Sequence, residues 1–549
     1  MSSEKKGKIS FLLILVLSFF LRFFNLGWGE GSFYHPDENN MAQALSRLSW
    51  PKMDPQFYAY GQLPLYLAFF SLKIYYWLRF SPSTTITFPE AVLTLRFWSA
   101  LLGVLSVWLV FLLAKKFFSK KLSLLPPLLA AFTPGLIQAA HFGTTESWLI
   151  FFFLFSLYQS LLFLEKKHQK HLFLASFSCG LAVATKISGV IFLAAPLTAW
   201  LLLFIKEKRK SLIQYIKEMK WPLLLIINMI VIAIIFSPYL LLNHEQSWST
   251  LKYEIGVAQG KIPVFYTRQF LKTLPYLFQL QKVFPYALGL PHFLASLIGF
   301  SLILVKTCRE LTKKSFRSSI LPWLLIIVSA LTYFLYNGHL FVKWTRFMAP
   351  LFPLAPLFAT YFFQKLQNLP KAVWFFLVGL TILPGCFFLA SVFFQKDIRT
   401  RASEWLCQNL PQNTVILSES GNVVPFPQCP SSSLKTIDFD FYSLEKNPEK
   451  LSQLSQGLSE ANFLVIPSRR VFLNHQRLPE EFPQTNRYYQ LLFSGQLGFT
   501  PLKQFNPYPG KISDEKAEET WSVFDHPVIR IYQKEAAYSS LTYQEMLIK

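Results

Sequence analysis

Two adjacent carboxylates, Asp37 and Glu38, stand in FYHPDENN (33–40), shortly after the apolar run ISFLLILVLSFFLRFFNL (9–26). Carboxylates that close to lipid are costly unless solvated or paired, so they are candidates for chemistry. The chemistry open to them is general-base removal of a proton from a hydroxyl. A plainer reading is also open: Asp37 caps a helix through NMAQALSRL and Glu38 gains from its dipole. A basic pair answers them in YNGHLFVKWTRFMAP, where Lys343 and Arg346 have the i, i+3 spacing of one helical face. An Arg fork and a Lys point charge capture phosphate, whether of a specific substrate or of anionic lipid headgroups. Glu146, in the short turn HFGTTESWL, and Lys186, in TKISG, reach the same level of the chain's outer face. Arg22, one turn from the end of the first apolar run, reads as a cation snorkelling to the headgroups.

These residues need a scaffold, and composition indicates its class. The 549 residues are 52% hydrophobic and 17% aromatic, and apolar runs recur from residue 9 to residue 394, more than one soluble core can hide. The chain reads as a polytopic α-helical membrane protein. Its net charge of +23 is unevenly placed: residues 1–395 hold 37 Lys+Arg against 13 Asp+Glu, and residues 396–549 hold 16 against 17. A basic excess confined to short loops between apolar runs is an orientation signal, so nucleic acid is not needed to explain it.

The amino terminus and the loops 115–121, 165–171, 206–220, 306–317 and 364–371 carry 23 Lys+Arg, and the longer intervening loops carry 12. The positive-inside rule puts the first set in the cytoplasm. About 11 spans follow, at 9–26, 94–114, 122–140, 148–164, 172–186, 189–205, 221–242, 286–305, 319–336, 347–363 and 372–394, each near the roughly 20 residues a spanning helix needs. The apolar segment LPLYLAFFSLKIYYWL (63–78) is excluded, because counting it as a span would put KKFFSKK outside. It is read as an interfacial helix within a long first outer loop, 27–93. The run 172–204, broken at TKISG, is read as two short helices with Lys186 at their outer bend. Residues 1–395 therefore form a transmembrane domain and residues 396–549 an extracytoplasmic α/β domain, with strands expected at 414–419, 462–468 and 528–534 and helices at 402–410 and 443–458. Cys407 and Cys429 can pair if this tail faces an oxidising compartment. Cys179, Cys308 and Cys386 lie in or beside apolar runs and read as inert small hydrophobes.

HPDE after the first span, RFWSALLGVLSVWLVFLLAKKFF, the HFGTTE turn, GLAVATK, SPY and KWTRFMAPLFPLAP together resemble the GT-C membrane glycosyltransferases. The resemblance is to the protein O-mannosyltransferases and to the aminoarabinose transferase of lipid A modification, over about residues 9–405. It implies a multi-span enzyme that moves a hexosyl or pentosyl unit from a polyprenyl-phosphate donor, with inversion, to a hydroxyl of a protein, glycan or lipid at the outer face. It also implies Asp37 as the catalytic acid of the first outer loop, Glu38 as its neighbour, and Lys186, Arg346 and Lys343 as phosphate-binding cations. Glu146 stands where Asp is common. Gln62 and Leu63 stand where aminoarabinose transferases carry a Lys before the Pro, and Phe347 where Tyr is usual. The residues ANFLVIPSRR and RYYQLLFSGQLGF resemble bacterial relatives without defining a role. No cofactor is called for. Eight outer-face carboxylates are compatible with a divalent metal, but no spacing demands one. A transporter or flippase of lipid-linked sugars, which also needs charges near lipid, is the rival reading. Transporters concentrate polar groups near the midplane on broken helices, whereas here the carboxylates sit in loops at the membrane faces. A non-catalytic envelope scaffold presenting the tail is a third.

Overall fold

The computed structural model describes residues 3–80, 85–206, 212–312, 320–419, 424–429, 434–510 and 512–548. Parts of the basic loops 206–220 and 306–317, and the first residue of the expected span 319–336, lie outside the described residues. The protein is a polytopic α-helical membrane protein with a carboxy-terminal α/β domain. Among the described residues, eight helices are long and apolar enough to cross a membrane, and the bent pair Leu122–Ala131 and Pro134–His141 makes a ninth. All eleven expected runs are helical. The two that fall short do so for physical reasons: helix Ser3–Phe23 is interrupted by Lys5, Lys6, Lys8 and Arg22, and helix Lys170–Val183 has only 14 residues.

The chain divides into two compact units. The first comprises Met1–Leu26, Asp37–Ile255 and Pro275–Leu389. Within it, helix Leu63–Leu78 has 16 residues, too few for an untilted crossing. Leu63, Leu65, Ala68, Phe69, Leu72 and Tyr76 are buried on one face, while Phe70, Ile74, Trp77 and Leu78 are exposed. Trp98 Nε1 donates to Ser71 Oγ and Tyr76 Oη donates to Glu90, so the helix is fixed along helix Phe88–Phe117. Glu90 itself closes a capping box with Thr87.

Arg22 departs from expectation. It does not snorkel; it is fully buried, its Nη1 bonding Ser18 Oγ at 2.9 Å and Ala131 O at 3.3 Å and its Nη2 bonding Ala130 O at 3.1 Å. These carbonyls lie in the last turn of helix Leu125–Ala131, where the span bends. A fork of N–H groups at this point satisfies the end of a half-helix in a medium without water.

The second unit comprises Gly27–Pro36, Gly256–Leu274 and Ala390–Lys549. Its sheet has five described strands, β1 (Thr414–Glu419), β2 (Leu434–Phe439), β3 (Phe463–Ile466), β4 (Phe499–Phe505) and β5 (Ile529–Lys534), in the order β2-β1-β3-β5-β4. β1 pairs in parallel with β2 and β3, and β5 is antiparallel to both β3 and β4. Leu417, Leu454, Leu458, Leu464, Tyr489 and Phe499 belong to the core on one side, and Ile398, Ala402, Leu406, Ile416 and Ile531 to a second core. Cys407 and Cys429 form a disulfide with Cα atoms 5.8 Å apart. His526 is buried between two carboxylates, Nδ1 at 2.5 Å from Asp525 and Nε2 at 2.7 Å from Asp514. Although burial opposes the charge, the two carboxylates raise its pKa to about 10.

Candidate functional site

Helix Pro36–Arg47 begins at the proline, whose fixed φ suits the first helical position, so Asp37 lies inside the first turn and is not the capping residue. Glu38, Met41, Ala42 and Leu45 share the i, i+3, i+4, i+7 spacing of one buried face. One residue of a helix turns the chain by about 100°, and Asp37 is accordingly set off from that face. The consequence is a division between neighbours. Glu38 and Arg96 have 0% side-chain exposure, whereas Asp37 has 21%.

Glu38 forms a bidentate pair with Arg96, Oε1 to Nε and Oε2 to Nη2 both at 2.7 Å, and Oε1 also accepts from the Gly143 N–H at 2.7 Å. Arg96 Nη1 donates to Leu26 O at 2.7 Å. A Cβ on Gly143 would stand 2.8 Å from Leu95 Cβ and 3.1 Å from Glu38 Oε1, so the close approach requires glycine. The His141 ring meets Phe24 O at 3.0 Å. Pinned in this way, the turn 141–145 delivers Glu146 to the first turn of helix Glu146–Lys166. Two carboxylates, Asp37 and Glu146, thus occupy the positive ends of two helices.

Each faces a cation. Arg346 Nη1 is ion-paired with Asp37 Oδ2, and its guanidinium lies 4.6 Å from the centre of the Trp344 ring. Lys186 Nζ is 3.8 Å from Glu146 Oε1, beyond hydrogen-bonding distance, and lies 5.0 Å from the Tyr60 ring centre and 5.3 Å from that of Phe347. Phe347 adjoins Arg346 in sequence and so links the two pairs. Its carbonyl accepts from Tyr333 Oη at 3.0 Å. The structure therefore brings Asp37 together with Arg346 and Glu146 together with Lys186, and the ring against Lys186 belongs to the residue that follows Arg346 in the chain.

Three segments of the sequence build the seat of Lys186. Helix Lys170–Val183 ends before it and a 3-10 turn, Ile187–Leu193, follows, which confirms the break expected at TKISG. Gly61 N donates to Thr185 O at 2.9 Å and Leu63 N to Ala184 O at 3.1 Å. A Cβ on Gly61 would lie 2.0 Å from Ala184 O, so only glycine permits this docking. Gln62 is fully buried: its N–H donates to Ser237 Oγ and its Oε1 accepts from Tyr239 N, both at 3.0 Å. Gln62 is thus a brace between YGQLP and SPY. Asp54 is likewise occupied by Gln56 N, Tyr58 Oη and Asn243 Nδ2, the last at 2.6 Å.

Lys343 differs from expectation. Trp344 is extended and the 3-10 helix Thr345–Leu354 starts after it, so Lys343 and Arg346 do not share a helical face. Pro350 and Pro353 favour this tighter, interrupted geometry. The Lys343 ammonium donates to Phe341 O at 2.8 Å, and burial lowers its pKa to about 8. Arg96 and Gly143 were not singled out from the sequence. A charge inside an apolar run needs a partner, and Glu38 on an otherwise apolar helical face was the available one. Among the described residues, no three His, Cys, Asp or Glu side chains converge as a metal site would require.

Residues 75–242 match the family described as dolichyl-phosphate-mannose-protein mannosyltransferase. That stretch contains Arg96, Glu146 and Lys186. Among solved structures, the archaeal oligosaccharyltransferase AglB from Archaeoglobus fulgidus, in complex with an inhibitory peptide and a dolichol-phosphate, is similar with a TM-score of 0.54 and 12% identity, over 89% of this chain and 73% of that one. The apo form of the A. fulgidus oligosaccharyltransferase gives 0.51 and 14% over the same shares. Apo ArnT from Cupriavidus metallidurans gives 0.44 and 13%, over 96% of this chain and 98% of that one. No curated protein matches the sequence. The chain resembles the GT-C glycosyltransferases, and identities this low carry the fold alone.

Proposed function

We propose that the protein is a glycosyltransferase that moves a sugar from a polyprenyl-phosphate donor to an acceptor hydroxyl at the outer membrane face, with inversion. The observation that carries this is the pair of charged couples Asp37–Arg346 and Glu146–Lys186 on adjoining elements, the Lys186 ammonium lying between the rings of Tyr60 and Phe347 with no hydrogen bond among the described residues. A partly buried ammonium and an Arg fork suit a phosphate. When the donor phosphate engages Arg346, the guanidinium exchanges one anion for another and Asp37 is released. Asp37 then takes the acceptor proton as the acceptor oxygen bonds to the anomeric carbon. The bond from that carbon to the phosphate oxygen breaks, and the polyprenyl phosphate leaves with the electron pair. Arg346 and Lys186 stabilise the charge developing on it. Glu146 holds Lys186 in place, and Glu38 acts as a positioning residue through Arg96. Lys343 adds positive charge near the same segment.

The match over residues 75–242 and the shared fold support the reaction class. The Cys407–Cys429 disulfide supports an oxidising, extracytoplasmic setting for the tail. Residues 1–395 would form the catalytic membrane domain and 396–549 the outer domain. The test is transfer of radiolabelled sugar from a polyprenyl phosphate in reconstituted vesicles. Labelled acceptor is expected. Movement of the labelled lipid between leaflets without any product would favour the flippase instead. Arg346→Ala is expected to raise the donor KM more than Arg346→Lys, because lysine keeps the charge and loses the fork; identical donor dependence in all three proteins would remove Arg346 from the phosphate site.

A further inference from the structure

The buried guanidinium of Arg22 has one nitrogen, Nε, that the bonds described above do not reach. Its two terminal nitrogens bond Ser18, Ala130 and Ala131, while Nε is buried with no partner among the described residues. Arg22 lines a small cavity of about 10 Å³ whose wall is apolar, with Val107, Val110, Leu136 and Ile150 among its residues, apart from Ser106 and Ser147. An isolated N–H in so apolar an interior is expensive.

We propose that this cavity holds a single structural water molecule, which accepts from Arg22 Nε and donates to Ser106 Oγ and Ser147 Oγ. The chemistry of the wall selects water. Ser106 Oγ already spends its proton on Leu102 O at 2.7 Å, and Ser147 Oγ spends its own on Ala139 O at 2.9 Å. Both hydroxyls therefore offer only lone pairs to the cavity, and Nε offers only a proton. A cation is excluded by the guanidinium and the absence of any carboxylate from the lining. An anion would meet one donor and two acceptor oxygens. An apolar occupant would leave Nε unpaired. Water fits one donor and two acceptors, three bonds being typical of buried waters, and the volume is at the lower limit for one molecule.

The site lies where the span Leu122–Ala131 and Pro134–His141 bends, so the water completes the polar cap over the end of the first half-helix. The test is a cryo-EM map of the whole protein in nanodiscs, at a resolution that shows ordered water. One isolated peak is expected, about 2.7–3.2 Å from Nε and near both hydroxyls. An empty cavity in a map that resolves other buried waters would overturn the proposal. A Ser106→Ala/Ser147→Ala protein, in which both acceptors are gone, should lose the peak. A peak of equal height in that variant would equally overturn it, since the occupant would not be held by these groups.

Discussion

At the scale of single residues, Asp37 and Glu38 have the same chemistry and opposite circumstances. Asp37 is partly exposed and bound to a cation that a phosphate can recruit, while both oxygens of Glu38 are consumed by Arg96 and Gly143. Asp37→Asn keeps the shape, and because Asp37 is not the capping residue no cap is lost. Folding should be unchanged, donor binding should be as tight or tighter because the amide no longer competes for Arg346, and transfer should fall by about 10²- to 10⁴-fold, the usual worth of a positioned base. A folded Asp37→Asn protein with wild-type turnover would remove Asp37 from the mechanism. Lys343 supplies a pH test. Its pKa is lowered to about 8 by burial, so the ammonium is charged below that pH and neutral above it. If it contributes charge to the donor site, donor KM should rise as pH increases through about 8, and Lys343→Arg, charged throughout, should flatten that rise. An unchanged profile in Lys343→Arg would assign the ammonium to local structure. The i, i+3 spacing misled for Lys343 because the segment before Thr345 is extended, a choice that sequence spacing does not report.

At the scale of elements, the Glu38–Arg96 pair ties helix Pro36–Arg47 to helix Phe88–Phe117 and, through Gly143, to the turn before Glu146. Removing one partner of a buried pair costs about 3–5 kcal/mol, because the other charge is stranded. Glu38→Gln sets an amide N–H₂ against either Arg96 or Gly143 N–H. It should lower thermal stability and activity together, and Arg96→Gln should do the same. The two variants should be strongly non-additive when combined. Activity lost from Glu38→Gln at wild-type stability would instead make Glu38 a second reacting carboxylate. The pairing was partly legible: Glu38 interrupts an apolar face and Arg96 interrupts an apolar run. What the sequence does not carry is which charge meets which across 58 residues.

At the scale of the whole molecule, apolar runs disclosed the membrane helices because length and hydropathy are local properties. In the α/β domain, β1, β3 and β5 were legible as TVILSE, NFLVIPS and VIRIYQK, for central strands are hydrophobic on both faces. β2 (LKTIDF) and β4 (FTPLKQF) passed unseen because they are the sheet edges, largely exposed and polar, and look like loops. Sidedness rests on charge bias, and it can be tested directly. The bias places the loop containing Lys120 in the cytoplasm and residues 27–93 and the tail outside. Single cysteines at Lys52, Thr85, Lys120 and Gln412, all exposed, are introduced into a protein lacking Cys179, Cys308 and Cys386 but retaining the Cys407–Cys429 disulfide. In intact cells, a membrane-impermeant thiol reagent should label Lys52→Cys, Thr85→Cys and Gln412→Cys and leave Lys120→Cys unlabelled until the membrane is permeabilised. Lys52 and Thr85 flank helix Leu63–Leu78, so labelling of one and protection of the other would mean that this helix crosses the membrane. The inverted pattern at Lys120 and Gln412 would place the disulfide in a reducing compartment and with it overturn the assignment of the outer face as the site of transfer.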